Sequence, residues 1–150
     1  AEGPQYLAFV VDLVKPMIDQ RYRTRPDRAS TAIMGSSMGG LISHHAIQRY
    51  PDVFGKAGVF SPSYWVSPPM YERAAAQALP ADARVYLYAG GREGSRGEVV
   101  ADVRRMQEIL AARMPAQNLA LSVAPEAEHN EAAWRAEFGR AVTWLFELNK

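Results

Sequence analysis

Gly35-Ser36-Ser37-Met38-Gly39 contains one Gly-x-Ser-x-Gly match, centred on Ser37. Ser36 centres none, because the residues two places from it are Met34 and Met38. The match follows the apolar run Ala32-Ile33-Met34 and opens a stretch of helical pattern, the order required for a sharp strand-to-helix turn that lifts a serine Oγ clear of a sheet. Glycine two residues to either side is expected to let the flanking chains approach closely. The same turn aims the first N–H groups of the following helix at the reacting centre. That makes the backbone N–H of Met38 a candidate oxyanion donor.

A serine hydroxyl is a weak nucleophile at neutral pH and needs a base within hydrogen-bond reach, itself oriented by a third group. His44 and His45 lie seven and eight residues beyond Ser37 on the same predicted helix. That puts them about 10 to 12 Å along its axis, too far to serve. His129 follows the last apolar run and is the candidate base. Nine acidic residues fall between Ser37 and His129, so the acid is less determined. Glu93 is favoured because it sits in the glycine-flanked loop Gly90-Gly91-Arg92-Glu93-Gly94, where a carboxylate can reach sideways. Glu98, Asp102 or no acid at all remain alternatives.

These candidates need a scaffold, and the apolar pattern supplies one. Leu7, Val10, Val11, Val14, Met17 and Ile18 recur at helical spacing, with a kink or early break expected at Pro16. Short apolar runs at residues 31 to 34, 57 to 60, 84 to 89 and 119 to 123 read as strands, with predicted helices between them over 38 to 50, 70 to 79 and from Val99 to Leu110. Trp134, Phe138, Ala141, Leu145 and Leu148 stripe a last helix, with Asn130 as its N-cap. Alternating strand and helix, with strands apolar on both faces, predicts an α/β fold around a mostly parallel sheet of about four strands. Ser37, Glu93 and His129 then all follow strand carboxyl ends, which in a parallel sheet share one edge. The loop after the second strand, Ser61-Pro62-Ser63-Tyr64-Trp65, lies at that edge too. Tyr64 and Trp65 there have two readings, walls of a substrate pocket or a hydrophobic plug.

Composition narrows the remaining possibilities. At 150 residues, 48% hydrophobic and net charge +1, the chain has the make-up of one ordinary globular domain, with no large basic face for nucleic acid. The basic run from Arg21 to Arg28 reads as a solvated connection. Absence of cysteine excludes disulfides, a thiol nucleophile and thiolate metal sites. No apolar run reaches the roughly 20 residues of a membrane-spanning helix. The chain opens at Ala1-Glu2-Gly3-Pro4 without Met, so a targeting segment upstream, and either a cytoplasmic or a secreted location, stays open. A nucleotide-binding reading, with the glycine turn as a phosphate cradle, lacks a Gly-x-Gly-x-x-Gly and a P-loop lysine, and a nucleotide titration decides it.

Three stretches together resemble a known family: Tyr22-Arg23-Thr24 through Ile33-Met34-Gly35-Ser36-Ser37-Met38-Gly39-Gly40-Leu41, Tyr50-Pro51-Asp52-Val53-Phe54-Gly55 through Phe60-Ser61-Pro62-Ser63-Tyr64-Trp65, and His129-Asn130-Glu131-Ala132-Ala133-Trp134. They look like the putative esterase family of α/β-hydrolases, which includes enterobactin esterases, S-formylglutathione hydrolase, some feruloyl esterases and the mycolyltransferases. The resemblance implies an α/β-hydrolase fold, here a partial three-layer domain. Ser37 would be the nucleophile, His129 the base, the Met38 N–H one oxyanion donor, and Gly91-Arg92-Glu93 the segment carrying the acid. No cofactor or metal is implied, and the partner would be a small-molecule ester.

The family's domain is nearly twice this long, and the resemblance is to its C-terminal half. Residues 1 to 150 are therefore expected to form a single domain belonging to a longer catalytic one. The early strands, and the loop that ordinarily supplies a second oxyanion donor, have no counterpart here. The edge of the nucleophile strand is then expected to pair with a second copy or an upstream segment. The implied function is hydrolysis of carboxylic esters through an acyl-enzyme on Ser37. Acyl transfer by the same route, and a catalytically silent interaction domain, stand beside it.

Overall fold

A computed structural model of the chain describes residues 3–94 and 98–148, leaving Ala1 and Glu2 outside. The first amphipathic stretch is helical throughout: α1 spans Gly3–Phe9 and α2 Lys15–Arg21, joined by a widened turn over Val10–Val14. The break expected at Pro16 does not occur. Instead the Lys15 N–H reaches back five residues to the Val10 carbonyl, and Pro16 falls in the first turn of α2, where a missing N–H is tolerated.

Strands and helices then alternate as the apolar pattern requires. They are β1 (Ala32–Ser36), α3 (Met38–Arg49), β2 (Lys56–Phe60), α4 (Pro69–Ala76), β3 (Arg84–Gly90), α5 (Glu98–Ala111), β4 (Leu119–Ala124) and α6 (Glu131–Phe146). Asn130 caps α6 as expected, its side-chain oxygen accepting from the Ala133 N–H at 3.0 Å. The strands form one parallel sheet in the order β1-β2-β3-β4. Parallel neighbours need crossovers, and the intervening helices provide them.

The sheet is covered on both faces, giving three layers. Ala57, Val59, Val85, Leu87 and Ala89 face the larger core, which they share with Leu7 of α1, Leu41 and Ile47 of α3, and Val103 and Met106 of α5. Phe60, Tyr86 and Tyr88 point the other way, against Ala141 and Leu145 of α6. Successive strand residues point to opposite faces, so an unbroken apolar run can fill both cores. Among the described residues β1 pairs on one side only. A cleft of about 360 Å³ opens there, lined by Met34, Gly35, Phe60, Trp134 and Phe138 among others.

Candidate active site

Four consecutive parallel strands end on one rim, and each delivers a polar side chain to it. Ser37 follows β1, Ser61 and Ser63 follow β2, Glu93 follows β3 and His129 follows β4. The rim is a product of the topology, because parallel strands align their carboxyl ends.

Ser37 takes φ 58° and ψ −120°, outside the regions open to residues bearing a Cβ without strain. Backbone bonds hold it there. Its N–H donates to the Phe60 carbonyl at 2.9 Å, and its carbonyl accepts from the N–H of Leu41 at 3.1 Å and of Ser63 at 3.2 Å. A Cβ on Gly35 would stand 2.5 Å from the Gly39 carbonyl oxygen, so the tight reversal requires glycine at 35. The expectation for Gly39 is corrected, since a Cβ there would meet nothing within 4 Å. The second position that steric contact closes is Gly40, where a Cβ would lie 2.5 Å from the Phe60 carbonyl oxygen as α3 crosses β2. Met38 is the first residue of α3, so its N–H belongs to the helix's first turn, which has no intrahelical acceptors.

Ser37, His129 and Glu93 are brought together in a line. His129 Nε2 lies 3.0 Å from Ser37 Oγ, and His129 Nδ1 lies 3.0 Å from Glu93 Oε2. Glu93 is completely buried while His129 is exposed, so the line runs from the interior to the surface. The carboxylate's other oxygen, Oε1, accepts from the Ser61 hydroxyl at 2.5 Å and the Gly90 N–H at 2.7 Å. A buried carboxylate oxygen needs such donors to replace water. Burial pushes the Tyr88 phenol above its ordinary value of 10, with the charge of Glu93 acting in the same direction.

The alternative acids sit elsewhere. Asp102 Oδ1 accepts from the Tyr71 hydroxyl at 2.8 Å, and Glu98 heads α5 with its carboxylate against Gly94. Neither remaining histidine reaches the rim's line. His44 is fully buried in α3, its Nδ1 2.8 Å from the Tyr64 hydroxyl, and burial lowers its pKa to about 4. His45 lies 3.4 Å from an Arg73 nitrogen, its pKa lowered by burial first and by the charges of Arg73 and Arg49.

Of the two aromatic candidates, Tyr64 takes the plug reading: it is 0% exposed, packed against Tyr71 and bonded to His44. A side chain so enclosed does not wall a pocket. Trp65 is 57% exposed at the same rim and stays available to a ligand. Three contacts went unread in the sequence. Ser61 bonds the Glu93 carboxylate, Ser63 Oγ lies 3.3 Å from Ser37 Oγ, and the Trp134 indole N–H donates to Ser61 Oγ at 2.9 Å. Their signal was position alone, two serines just past a strand's carboxyl end and one tryptophan in an apolar stripe. Among the described residues, no cluster of three His, Asp or Glu side chains is placed to hold a metal ion, and no helix is long and apolar enough to cross a membrane.

Comparison with known proteins gives the same picture of the fold. The family model described as "Putative esterase" matches residues 2–145. A Bacillus subtilis protein described as "Uncharacterized protein YbbA" is 30% identical over 159 residues, which take in 99% of this chain and 62% of that protein. A siderophore enterobactin esterase of Emericella nidulans is 33% identical over 61 residues, 41% of this chain and 20% of its own. Among solved structures, the enterochelin esterase of Shigella flexneri superposes with a TM-score of 0.81 at 20% identity, over 95% of this chain and 37% of that one. The chain thus spans less than two thirds of the length of these relatives.

Proposed function

The chain belongs to the Putative esterase family, and on that premise we propose that it is a serine hydrolase of small-molecule carboxylic esters, with Ser37 as nucleophile, His129 as general base and Glu93 as orienting acid. The single observation that carries this reading is the line of two 3.0 Å contacts from Ser37 Oγ through both ring nitrogens of His129 to Glu93. In the first half-reaction Ser37 Oγ adds to the ester carbonyl as its proton passes to His129 Nε2. Glu93 Oε2 steadies the imidazolium through Nδ1–H, and the Met38 N–H receives the developing oxyanion. Collapse of the tetrahedral species breaks the bond to the alkoxy group, which leaves as alcohol with the proton from His129. Water then repeats the sequence on the acyl-enzyme and releases the acid and free Ser37. An acceptor alcohol in place of that water makes the same chemistry an acyl transfer. Trp65 is the proposed wall for the substrate.

The experiment is turnover of a small activated ester by the wild-type chain and by Ser37→Ala and Ser36→Ala. Loss of activity in Ser37→Ala with much of it retained in Ser36→Ala supports the assignment. Equal rates for wild type and Ser37→Ala would overturn it.

A second reading, an interaction domain, is favoured by the open side of β1. Beside that edge the large side chain of Phe138 is 54% exposed, in line with partly buried Met34, Val142 and Phe146. Unpaired backbone groups and bare apolar surface in one place invite strand pairing with another chain. On this reading the 150 residues self-associate, and Phe138→Lys weakens the assembly. Sedimentation velocity checks it, and a wild-type monomer at high concentration would remove it.

A further inference from the structure

The contacts around Glu93 go one step beyond the three residues of the proposed reaction. We infer that Ser61 and Trp134 form a positioning clamp that sets the direction of the Glu93 carboxylate and, through it, the tautomer of His129; this inference rests on the esterase reading only for its effect on rate.

Ser61 has φ 44°, a left-handed conformation in which a residue with a Cβ is strained and glycine is favoured. It is completely buried, and its N–H donates to the Tyr88 carbonyl at 2.7 Å, which fixes the backbone. Glycine would suit that backbone better, so the hydroxyl is what serine adds. It donates at 2.5 Å to Glu93 Oε1 and accepts from the Trp134 indole N–H at 2.9 Å. The indole can only donate, so the hydroxyl proton is turned toward the carboxylate.

The consequence is directional. With Oε1 occupied by Ser61 and by the Gly90 N–H, Oε2 is the oxygen left to face His129 Nδ1 at 3.0 Å. A carboxylate so held accepts from Nδ1–H, leaving Nε2 unprotonated toward Ser37 Oγ. Trp134 also stands edge-on to the His129 ring, centroids 5.0 Å apart at 86°. One side chain on α6 thereby touches the base directly and reaches the acid through a single hydroxyl. Among the described residues, Glu93 bears both on His129, through Nδ1, and on the Tyr88 phenol.

Ser61→Gly is the informative variant, because it removes the hydroxyl while relieving the backbone. Trp134→Phe keeps a ring against His129 and removes only the N–H. The three histidines are labelled with nitrogen-15 in the full chain, and the His129 signals are assigned by their loss in His129→Ala. The clamp predicts a pure Nδ1–H tautomer in wild type and a mixture in Ser61→Gly, with a smaller change in Trp134→Phe. It also predicts that kcat on an activated ester falls about 10- to 100-fold with KM unchanged, the worth of one hydrogen bond to a charged group. A wild-type tautomer in Ser61→Gly overturns the clamp whatever the rate. A changed tautomer in a chain whose wild type hydrolyses no ester leaves the clamp standing and removes the esterase reading instead.

Discussion

His129 Nε2 lies 3.0 Å from Ser37 Oγ although 92 residues separate them in the chain. Among the described residues β1 and β4 are the outermost strands of one parallel sheet, so the loops that follow them leave from the same rim. Glu93, after β3, then reaches the far side of the imidazole. The acid is the member of this line for which the sequence offered alternatives, and mutation separates them.

Glu93→Ala is expected to lower kcat substantially, yet by less than His129→Ala, because water or a neighbour can partly replace an orienting group. His129→Ala should cost about as much as Ser37→Ala, on the order of 10⁴-fold or more, since base and nucleophile act as one unit. Asp102→Asn should leave turnover near wild type, its carboxylate being engaged with Tyr71. Turnover of an activated ester by the four variants checks the ranking, and an Asp102→Asn loss matching that of Glu93→Ala would reassign the acid.

The turn itself makes an asymmetric prediction about its glycines. Gly39→Ala should fold and keep its activity, gaining up to about 1 kcal/mol from helix propensity, because the added Cβ meets nothing within 4 Å. Gly40→Ala should lower Tm, with a cost of about 1 to 3 kcal/mol or more, since its Cβ would press on the Phe60 backbone. Thermal unfolding of the two proteins decides, and equal Tm values would refute the close crossing of α3 over β2.

Buried His44 gives a pH dependence with a definite sign. Burial holds it neutral in the folded chain down to a pKa of about 4, against an ordinary value of 6.5. The unfolded chain therefore binds the extra proton between those pH values, and stability is lost as pH falls through that window. A tenfold change in proton affinity is worth roughly 1.4 kcal/mol, so the loss approaches about 3 kcal/mol. Tm measured from pH 7 to pH 4 should decline, and more gently in His44→Gln. Parallel profiles for the two proteins would assign the acid sensitivity to other groups.

The order of strands and helices was legible in the sequence because each strand is an apolar run bounded by turn residues, and each helix has a stripe at its own period. That Ser37 and His129 stand on one rim was legible for a different reason, since a glycine-framed serine and a histidine past the last strand both follow strand carboxyl ends. Tyr64 was not. Whether an aromatic beside Trp65 faces solvent or core depends on which side of a short turn it leaves, and the buried His44 that it bonds is 20 positions away. The Ser61 hydroxyl was hidden likewise, because a positive φ at serine has no compositional mark. At Pro16 the local rule was right about the lost donor, but the chain absorbed it in a wider turn while keeping Leu7 in the core.

The most direct test of the central claim is covalent. The 150-residue chain is treated with a fluorophosphonate, its intact mass is measured, and the adduct is mapped by peptide sequencing in wild type and in His129→Ala. The account predicts one adduct per chain, on Ser37, formed far more slowly once His129 is gone. An adduct on Ser36 or Ser43, or none at all, would contradict it.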